Sequence, residues 1–407
     1  MTTRALTHLP LPGGSAGIDA LLPALRSALA GDGPALALTP VGDTASAYSQ
    51  RLIAALAPDE PLESDDIALV IGTSGSTGAP RGVLLSDRVL FEAADRSLAT
   101  LGRPGHWVAT MPLHHIGGLM TVVRALRAGL EVTADPSLGG ATRFESDAFV
   151  ATTHAAMLRA SADGVGLYTS LVPTQLARLA AEPAGMRALT AYDAVLQGAA
   201  ACPPDLLALL RESGVNLVVS FGMTETTGGC VYDGVAFDGT TVSLVDVADD
   251  VGRIVLGGSL VAQGYRRLPE LTAELFTVDG FRTSDLGRIG PGGVLEVVGR
   301  IDDVVHIGGV NVSVLAVQNA IRALDGVVDG AVVPLVDAEW GARLIACVAV
   351  GTSRPAGLAD EARLHVASSL GRRAVPEVRL LDELPMLISG KVDRAALRDF
   401  VMSMDGL

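Results

Sequence analysis

The sequence predicts an α/β fold with a large N-terminal domain of parallel-rich sheets and packed helices, a β-rich subdomain, and a small α+β C-terminal domain. Its 407 residues exceed the roughly 150 residues of a typical domain, so two or three domains are expected. Val/Ile/Leu-rich runs alternate with Ala/Leu/Arg-rich stretches of helical period over most of this length. Such alternation predicts parallel strands with helices packed on the faces of a sheet. After residue 230 the pattern changes to strands punctuated by glycine.

The alternation is clearest between residues 67 and 220, where each element has its own signal. Four apolar runs are typical of buried strands, at 67–71, 107–111, 194–196 and 217–220. Four stretches of helical period lie between them, at 87–100, 116–128, 173–181 and 203–213. Ser86 precedes the first of these helices as a candidate cap, and Pro204 suits the first turn of the last.

The C-terminal part of the chain is patterned differently. Glycine-punctuated strand patterns occupy 231–244 and 252–258, and 280–299 is typical of hairpins joined by a Gly-Pro-Gly-Gly turn at 290–293. From residue 304 the pattern becomes α+β, with helices at 314–324 and 359–370 and strands at 327–336 and 344–350. We therefore predict two domains, 1–301 and 302–407. The first 35 residues give no prediction.

The composition excludes several classes of protein. With 30 Lys and Arg against 45 Asp and Glu, the net charge of −15 argues against a nucleic-acid-binding surface, although a local pocket can still take an anionic substrate. Hydrophobic residues are 49% and charged residues 18%, which predicts a large core and excludes general disorder. The longest apolar runs, such as 344–350, are far shorter than the ~20 residues of a membrane helix.

Cysteine usage and the N-terminus indicate the compartment. Cys202, Cys230 and Cys347 lie far apart without paired spacing, which favours a reducing compartment over a zinc site or a disulfide framework. The N-terminus lacks the long apolar segment of a secretory signal. We therefore expect a cytoplasmic protein; the sequence leaves its oligomeric state open, a homo-oligomer included.

The segment from Ile71 to Gly82, Ile-Gly-Thr-Ser-Gly-Ser-Thr-Gly-Ala-Pro-Arg-Gly, directly follows a predicted strand. Its glycines allow several backbone N–H groups to turn toward one point. The hydroxyls of Ser74, Ser76 and Thr77 and the nearby arginine add donors suited to polyphosphate. The spacing fits neither the P-loop nor the dinucleotide-binding glycine pattern. A flexible connector is the alternative interpretation.

A second segment, Ser-Phe-Gly-Met-Thr-Glu-Thr at 220–226, also follows a predicted strand. Glu225 offers a hard oxygen ligand for Mg2+, which accompanies nucleotide phosphates, and Thr224 offers a hydroxyl. Phe221 offers a face for stacking on a base. The alternative is a strand-to-helix turn with threonine as its cap and Glu225 in its first turn.

Two later segments carry further charged groups. Asp285 ends the run Phe-Arg-Thr-Ser-Asp, and Arg300 lies in Gly-Arg-Ile-Asp-Asp at 299–303. On neighbouring strands, these two side chains suit a ribose diol; a surface salt bridge is the alternative. The run Leu-Ile-Ser-Gly-Lys ends at Lys391, which by itself is an ordinary loop charge.

Together and in this order, the four segments resemble the motifs of the adenylate-forming superfamily, which comprises acyl- and aryl-CoA ligases, luciferases and stand-alone adenylation domains. The resemblance covers residues 67–394. Ser76 and Arg81 stand where the family usually has Thr and Lys, Phe221 where it has Tyr, and Ser284 where it has Gly. Arg81 keeps the positive charge and Phe221 keeps the stacking face.

Within that superfamily, three further segments are most similar to the o-succinylbenzoate–CoA ligases of menaquinone biosynthesis. They are Met-Pro-Leu-His-His-Ile-Gly-Gly-Leu at 111–119, Leu-Val-Pro-Thr-Gln-Leu-Ala-Arg at 171–178, and Glu-Thr-Thr-Gly-Gly-Cys-Val-Tyr-Asp at 225–233. The double histidine and the Gly-Gly-Cys-Val-Tyr run carry most of this narrower resemblance.

The resemblance implies an AMP-forming acid–CoA ligase that uses ATP with Mg2+ and takes CoA as its co-substrate. A small aromatic carboxylic acid would attack the α-phosphate to give an acyl-adenylate, and the CoA thiol would then displace AMP. Lys391 would bridge the carboxylate and the α-phosphate, Glu225 would hold Mg2+, and Thr224 would contact the α-phosphate. The β- and γ-phosphates would be held by the glycine loop and its flanks: Thr73, Ser74, Gly75, Ser76, Thr77, Gly78 and Arg81.

The resemblance also implies where the nucleoside and the acid bind. Asp285 and Arg300 would hold the ribose. The adenine would lie against two backbone segments: Gly198, Ala199, Ala200, Ser220, Phe221 and Gly222. The acid pocket would include His115 and Arg178, either of which suits a second, unreacted carboxylate. For Arg178 an exposed helix arginine is the alternative.

For the second half-reaction, the resemblance implies a mobile small domain. It would rotate about Asp302, withdraw Lys391 and open a passage for the CoA thiol beside Gly308 and Gly309, where glycine leaves space.

Three alternatives to this assignment remain open. The first is another aryl- or acyl-CoA ligase, the second is an adenylation enzyme that loads a carrier protein, and the third is a degenerate relative that binds nucleotide without catalysis. The joint presence of Glu225, Asp285, Arg300 and Lys391 argues against the last of these. In each enzyme alternative the partner is a small carboxylic acid, with no nucleic acid and no membrane insertion.

Overall fold

The computed structural model describes residues 4–41, 47–73, 80–350, 357–386 and 392–404. By its internal contacts the chain divides into two units. The first comprises Met1–Val245, Ile254–Thr283 and Ile289–Glu296, and the second comprises Asp246–Arg253, Ser284–Arg288 and Val297–Leu407. The boundary expected after residue 301 stays a prediction.

The described residues form helices and strands in alternation, as the sequence predicts. The helices are α1 Ser15–Ala30, α2 Ala47–Leu56, α3 Asp87–Leu101, α4 Ile116–Arg127, α5 Ser146–Asp163, α6 Pro173–Ala180, α7 Pro183–Thr190, α8 Pro204–Glu212, α9 Pro269–Leu275, α10 Val314–Arg322, α11 Leu358–Leu370 and α12 Arg394–Met404. The strands are β1 Leu6–Leu11, β2 Ala35–Pro40, β3 Ile67–Thr73, β4 Arg81–Ser86, β5 Gly105–Ala109, β6 Val132–Ala134, β7 Gly166–Leu171, β8 Ala194–Gln197, β9 Leu217–Met223, β10 Gly228–Tyr232, β11 Val235–Ala236, β12 Thr240–Ala248, β13 Val251–Gly258, β14 Gly264–Tyr265, β15 Phe276–Thr277, β16 Gly280–Ile289, β17 Leu295–Arg300, β18 Val304–Ile307, β19 Val310–Ser313, β20 Asp329–Asp337, β21 Gly341–Ala349 and β22 Glu377–Leu381.

The first unit contains two sheets rich in parallel strands. One has the order β1-β2-β3-β4-β14, in which β1, β2 and β3 are parallel and β4 runs antiparallel to β3 and β14. The other has the order β11-β10-β9-β8-β7-β5-β6, in which β6, β5, β7, β8 and β9 are parallel. The carboxyl ends of these five strands therefore meet at one edge, which is where ligands bind in open α/β sheets.

Apolar side chains from both sheets and their helices form the core of this unit. Strand β3 is buried from Ile67 to Gly72, which explains its continuous apolar run. Trp107 of β5 and Tyr168 of β7 are fully buried, and their ring centroids lie 5.2 Å apart. This packing fixes the parallel strands and hence the edge that they share.

The later strands follow the predicted change of pattern. A third sheet has the order β12-β13-β16-β15, with β17 paired to β16. In the second unit, β18 and β19 form a hairpin, and β20, β21 and β22 form a sheet. Helices α10 and α11 contribute Val317, Ile321 and Val366 to the core that this sheet shares with them. The predicted α+β character of this region is confirmed.

Several element boundaries carry local sequence signals. The Ser86 hydroxyl accepts a hydrogen bond from the Val89 N–H at 3.3 Å, which confirms the predicted cap of α3. Pro204 is the first residue of α8, which confirms its predicted place in the first turn. Two elements, β1 and α1, lie in the N-terminal stretch for which we made no prediction. Within the described ranges, no helix combines the length and the apolar character needed to cross a membrane.

Candidate active site

The two ends of the predicted phosphate loop are held side by side. Thr73 ends β3, Arg81 begins β4, and the two residues pair across the antiparallel ladder. Both side chains are partly exposed. The loop residues to which we assign phosphate contacts, Ser74 to Gly78, lie outside the described residues. The sheet thus presents the predicted phosphate-binding arginine directly at the end of this loop.

Glu225 lies in a single helical turn, Thr224–Thr226, at the carboxyl end of β9. A Cβ at Gly222 would come within 2.0 Å of the Gly228 carbonyl oxygen, so only glycine lets β9 and β10 approach here. The Thr226 hydroxyl accepts from the Met223 N–H at 3.0 Å and ties the turn to the strand. Thr224 and Glu225 are each 8% exposed. This close-packed turn holds the Glu225 carboxylate at the shared edge.

A tyrosine that the sequence analysis did not identify contacts both Glu225 and Arg81. The Tyr265 hydroxyl donates a hydrogen bond to Glu225 Oε1 at 2.7 Å. The Arg81 guanidinium carbon lies 5.4 Å from the centroid of the same ring. Burial, and then the neighbouring Glu225 charge, raise the pKa of the Tyr265 phenol, which therefore remains a donor. The glycine-loop segment and the Glu225 segment thus converge through Tyr265.

The double histidine follows β5 and leads into α4. The rings of His114 and His115 lie 4.2 Å apart between centroids, at 45°. His114 is buried, and this burial lowers its pKa from 6.5 to about 4. His114 is therefore neutral near pH 7. His115 is partly exposed just before α4 begins, at the same edge as Glu225.

This buried histidine predicts an acid-sensitive component of stability. Its pKa in the folded chain lies below the unfolded value, so the folded state binds fewer protons and stability falls as pH falls through 6.5 toward 4. Between pH 7 and pH 5, we expect the free energy of unfolding to fall by about 2 kcal/mol more in the unaltered chain than in His114→Gln. Urea titrations at the two pH values measure this difference. Equal losses in both proteins would contradict it.

The predicted adenine segment is a turn after β8. Gln197, at the end of β8, is 1% exposed, and its side-chain amide donates to the Ala200 carbonyl oxygen at 2.6 Å. Ala199 has a positive φ of 69°, which the turn requires. Ser220 and Phe221 lie on β9, which neighbours β8, and are partly exposed. The structure therefore brings both predicted adenine segments to the same sheet edge, with Gln197 as a support that the sequence analysis missed.

Arg178 lies on α6, which follows β7. Its side chain is exposed, and its Nη1 donates to the Phe144 carbonyl oxygen at 3.1 Å. The guanidinium thus already serves a backbone acceptor. Its assignment to a second carboxylate of the acid stays a prediction.

The second unit carries the predicted ribose, hinge and thiol residues. Arg300 Nη1 lies 2.9 Å from Asp285 Oδ1, so the predicted partners meet as an ion pair. Asp302 lies in the turn Ile301–Asp303. Gly308 and Gly309 connect β18 and β19.

Gly308 is closely surrounded. Its φ is +55°, and an added Cβ would lie 2.7 Å from Trp340 Cε3. Its N–H donates to the Trp340 carbonyl oxygen at 2.8 Å. Glycine is therefore required here by both backbone conformation and space. Lys391 and Gly390 lie outside the described residues.

The oxygen donors of the first unit fit Mg2+. Among the residues that the structure describes, no group of three or more His, Cys, Asp and Glu side chains is arranged to hold a metal ion unaided. Mg2+ in nucleotide enzymes is usually held by one or two carboxylates together with substrate phosphates. Glu225, oriented by a hydrogen bond and beside the end of the glycine loop, supplies such a carboxylate.

Comparisons with known proteins show which families and proteins the chain is similar to. Residues 18–266 match the family described as AMP-binding enzyme, and residues 316–391 match the AMP-binding enzyme C-terminal domain. The chain is 38% identical over 394 residues to a probable 2-succinylbenzoate–CoA ligase of Mycobacterium tuberculosis strain CDC 1551 / Oshkosh, covering 96% of this chain and 97% of that one.

Two solved structures of one enzyme share the fold. The o-succinylbenzoate–CoA synthetase of Bacillus subtilis with its acyl-adenylate intermediate matches at a TM-score of 0.79 and 21% identity, covering 98% of this chain and 88% of that one. The same enzyme with ATP and magnesium ion also matches at 0.79 and 21%, covering 98% and 90%.

The chain belongs to the AMP-binding enzyme family, because the family match alone spans more than half of its length. This membership confirms the resemblance from which the site was predicted, and the structural matches confirm the predicted fold of a large N-terminal and a small C-terminal domain. The roles of the individual residues stay predictions.

Proposed function

We propose that the chain is an AMP-forming 2-succinylbenzoate–CoA ligase that acts in menaquinone biosynthesis. The observation that carries the proposal is the full-length similarity to the M. tuberculosis relative, which extends beyond the motifs that all AMP-binding enzymes share. Mg2+ is the implied cofactor, and ATP and CoA are the implied co-substrates. We propose a cytoplasmic location, on the cysteine pattern described above.

In the first half-reaction, a carboxylate oxygen of the acid attacks the α-phosphorus of ATP, and the bond to pyrophosphate breaks. Both reactants are anionic, so the site has to neutralise charge and align them. Arg81 and the glycine loop would hold the β- and γ-phosphates. Glu225 would hold Mg2+, which neutralises phosphate charge when bound. Lys391 would bridge the carboxylate and the α-phosphate.

Lys391 is the single lysine in the sequence, and every other basic residue among the 30 Lys and Arg is arginine. An ammonium is a compact point charge with three donors, whereas a guanidinium is a planar fork. A chain that uses guanidinium everywhere else and ammonium only here supports a role that arginine does not fill. In the proposed role, the ammonium contacts one oxygen of the acid carboxylate and one of the α-phosphate. A point charge with three donors suits two oxygens on different molecules better than a planar fork does.

In the second half-reaction, the CoA sulfur attacks the acyl carbon, and the bond between that carbon and the AMP oxygen breaks. We propose that rotation about Asp302 withdraws Lys391 and opens the passage beside Gly308. The spectator carboxylate of 2-succinylbenzoate needs a cation or several donors, and His115 and Arg178 are the proposed groups. Neutral His114 would pack against the His115 ring and help to hold it in place.

The proposal is tested by CoA- and ATP-dependent AMP formation across a panel of acids. We expect turnover with 2-succinylbenzoate to exceed that with benzoate and with a medium-chain fatty acid by at least about tenfold, because each good charge-assisted contact is worth more than 1 kcal/mol. Preferential turnover of benzoate or of the fatty acid would contradict the assigned substrate. Acyl transfer to a carrier protein but not to CoA would contradict the assigned acceptor.

Gly308→Ala is expected to slow the second half-reaction on the order of tenfold while sparing the first. The added methyl group meets Trp340, and alanine pays about 1–2 kcal/mol in the left-handed region. Thioester formation from supplied acyl-adenylate measures the effect. The matched control is Gly357→Ala, where the glycine also has a positive φ, of +83°, but no atom lies within 4 Å of the added Cβ. Equal effects of both substitutions would contradict a role of Gly308 in the thiol passage.

A further inference from the structure

We propose that Tyr265 is a positioning residue for nucleotide activation, because one buried phenol orients the carboxylate of Glu225 and supports the guanidinium of Arg81. The inference rests on the proposed function, from which it takes the roles of Glu225 with Mg2+ and of Arg81 with phosphate. It assigns a role to a residue that lies outside all four motif segments.

The contacts of the ring are specific on each side. Tyr265 is 3% exposed. Its hydroxyl donates to Glu225 Oε1 at 2.7 Å, and its face lies under the Arg81 guanidinium carbon at 5.4 Å from the centroid. Phe276 closes another side in an edge-to-face contact at 5.2 Å. The ring therefore touches both groups that are assigned to the triphosphate.

The backbone at Tyr265 is also held in place by strand pairing and hydrogen bonds. Strand β14 pairs antiparallel with β4, so that Tyr265 lies opposite Val83, two residues beyond Arg81. The Tyr265 N–H donates to the Thr272 hydroxyl at 2.9 Å, and the Arg266 N–H donates to the Gly82 carbonyl oxygen at 2.7 Å. A displacement of the ring would break these bonds. The orientation of the phenol is thus set before any ligand binds.

This arrangement has a chemical consequence for metal binding. A carboxylate that ligates Mg2+ has to present an oxygen in a fixed direction, and a donor on its other oxygen restricts its rotation. Outer-shell donors of this kind are typically worth about 10–100-fold in metal affinity or activity. The cation–ring contact restrains Arg81 in the same way near the loop end. Loss of the hydroxyl alone should therefore be felt in metal-dependent binding, and loss of the ring also in metal-independent binding.

The experiment compares ATP binding by calorimetry in Mg2+ and in EDTA. The dissociation constant in EDTA divided by the dissociation constant in Mg2+ measures how much the metal ion strengthens ATP binding. This ratio is obtained without any turnover. We expect Tyr265→Phe to reduce this ratio about tenfold or more, with binding in EDTA unchanged. We expect Tyr265→Leu to reduce the ratio equally and to weaken binding in EDTA several-fold as well, because the support of Arg81 is lost. An unchanged ratio in Tyr265→Phe overturns the proposal.

The matched control is Tyr168→Phe. Tyr168 is also buried, and its hydroxyl donates to the Arg103 carbonyl oxygen at 3.0 Å, close to where β5 begins and away from the carboxyl edge. It should leave both dissociation constants unchanged. A fall in the ratio as large in Tyr168→Phe as in Tyr265→Phe would show general loosening and overturn the proposal. The proposal would also be overturned if Tyr265→Phe weakened ATP binding equally in Mg2+ and in EDTA.

The outcome separates this inference from the proposed function. Calorimetry with ATP needs no acid substrate. If the chain activates another acid, the assigned substrate is wrong, but the role of Tyr265 is still tested by nucleotide binding. A chain that turns over 2-succinylbenzoate but shows no effect of Tyr265→Phe keeps its function and loses this inference. Absence of any Mg2+ effect on ATP binding in the unaltered chain overturns the inference itself.

Discussion

Lys391→Ala is expected to lower 2-succinylbenzoate-dependent exchange between ATP and pyrophosphate by about 10²–10³-fold, the usual cost of removing one donor aimed at developing charge. The same variant should form thioester from supplied acyl-adenylate at a rate close to that of the unaltered chain. The reason is that the ammonium would be needed where two anions meet, and not where a thiol displaces AMP. Separate assays of the two half-reactions give both rates.

Arg363→Ala is the control for charge removal in the same unit. Arg363 forms an exposed pair with Asp360 three residues away, and its loss should leave both half-reactions unchanged. A similar loss in both half-reactions of Lys391→Ala would contradict the division of labour that we propose. An unimpaired exchange rate would remove Lys391 from the first half-reaction altogether.

Arg266→Ala is expected to lower the free energy of unfolding by about 3–5 kcal/mol, because it removes a fully buried guanidinium that serves several backbone acceptors and one partly exposed carboxylate. The Arg266 side chain is fully buried, and its guanidinium lies 2.6 Å from Glu63 Oε2. Its remaining donors serve backbone carbonyl oxygens of the connection between α2 and β3: Leu56, Ala57, Glu60 and Pro61. Removal leaves these acceptors buried without their donor. Urea denaturation measures the loss.

The neighbouring arginine provides the matched control. Arg267 pairs with Glu60 on the surface, with both side chains about half exposed, so Arg267→Ala should cost about 0–1 kcal/mol. Comparable losses in the two variants would contradict the assignment of Arg266 as the buried anchor. Because Arg266 follows Tyr265, we also expect Arg266→Ala to weaken ATP binding in Mg2+.

The motifs named residues of a candidate site, and the structure brings several of these residues together. Glu225 and the ends of the glycine loop were predicted from short segments that each follow a strand, and the structure brings them together through Tyr265. Asp285 and Arg300 were expected on neighbouring strands, and they meet at 2.9 Å. That pair is compatible with both the ribose role and the salt-bridge alternative, so its role stays a prediction.

Residues that act through distant contacts carried no local signal. Tyr265 reaches Glu225 across 40 positions, and Arg266 reaches Pro61 across 205. Neither lies in a periodic pattern or a spaced motif, because β14 is only two residues long. Gln197 was missed for the same reason, since an amide at a strand end has no pattern until its turn is known. Helix α1 was missed because its stretch is rich in Gly, Pro and Ala, which obscures the helical period.

A crystal structure with Mg2+ and a non-hydrolysable ATP analogue tests our proposal that the glycine loop and Glu225 meet at one triphosphate. We expect a Glu225 oxygen about 2.0–2.1 Å from the metal ion, with the triphosphate between that ion and the loop that ends at Arg81. A triphosphate bound elsewhere, or a metal ion with no contact to Glu225, would contradict it.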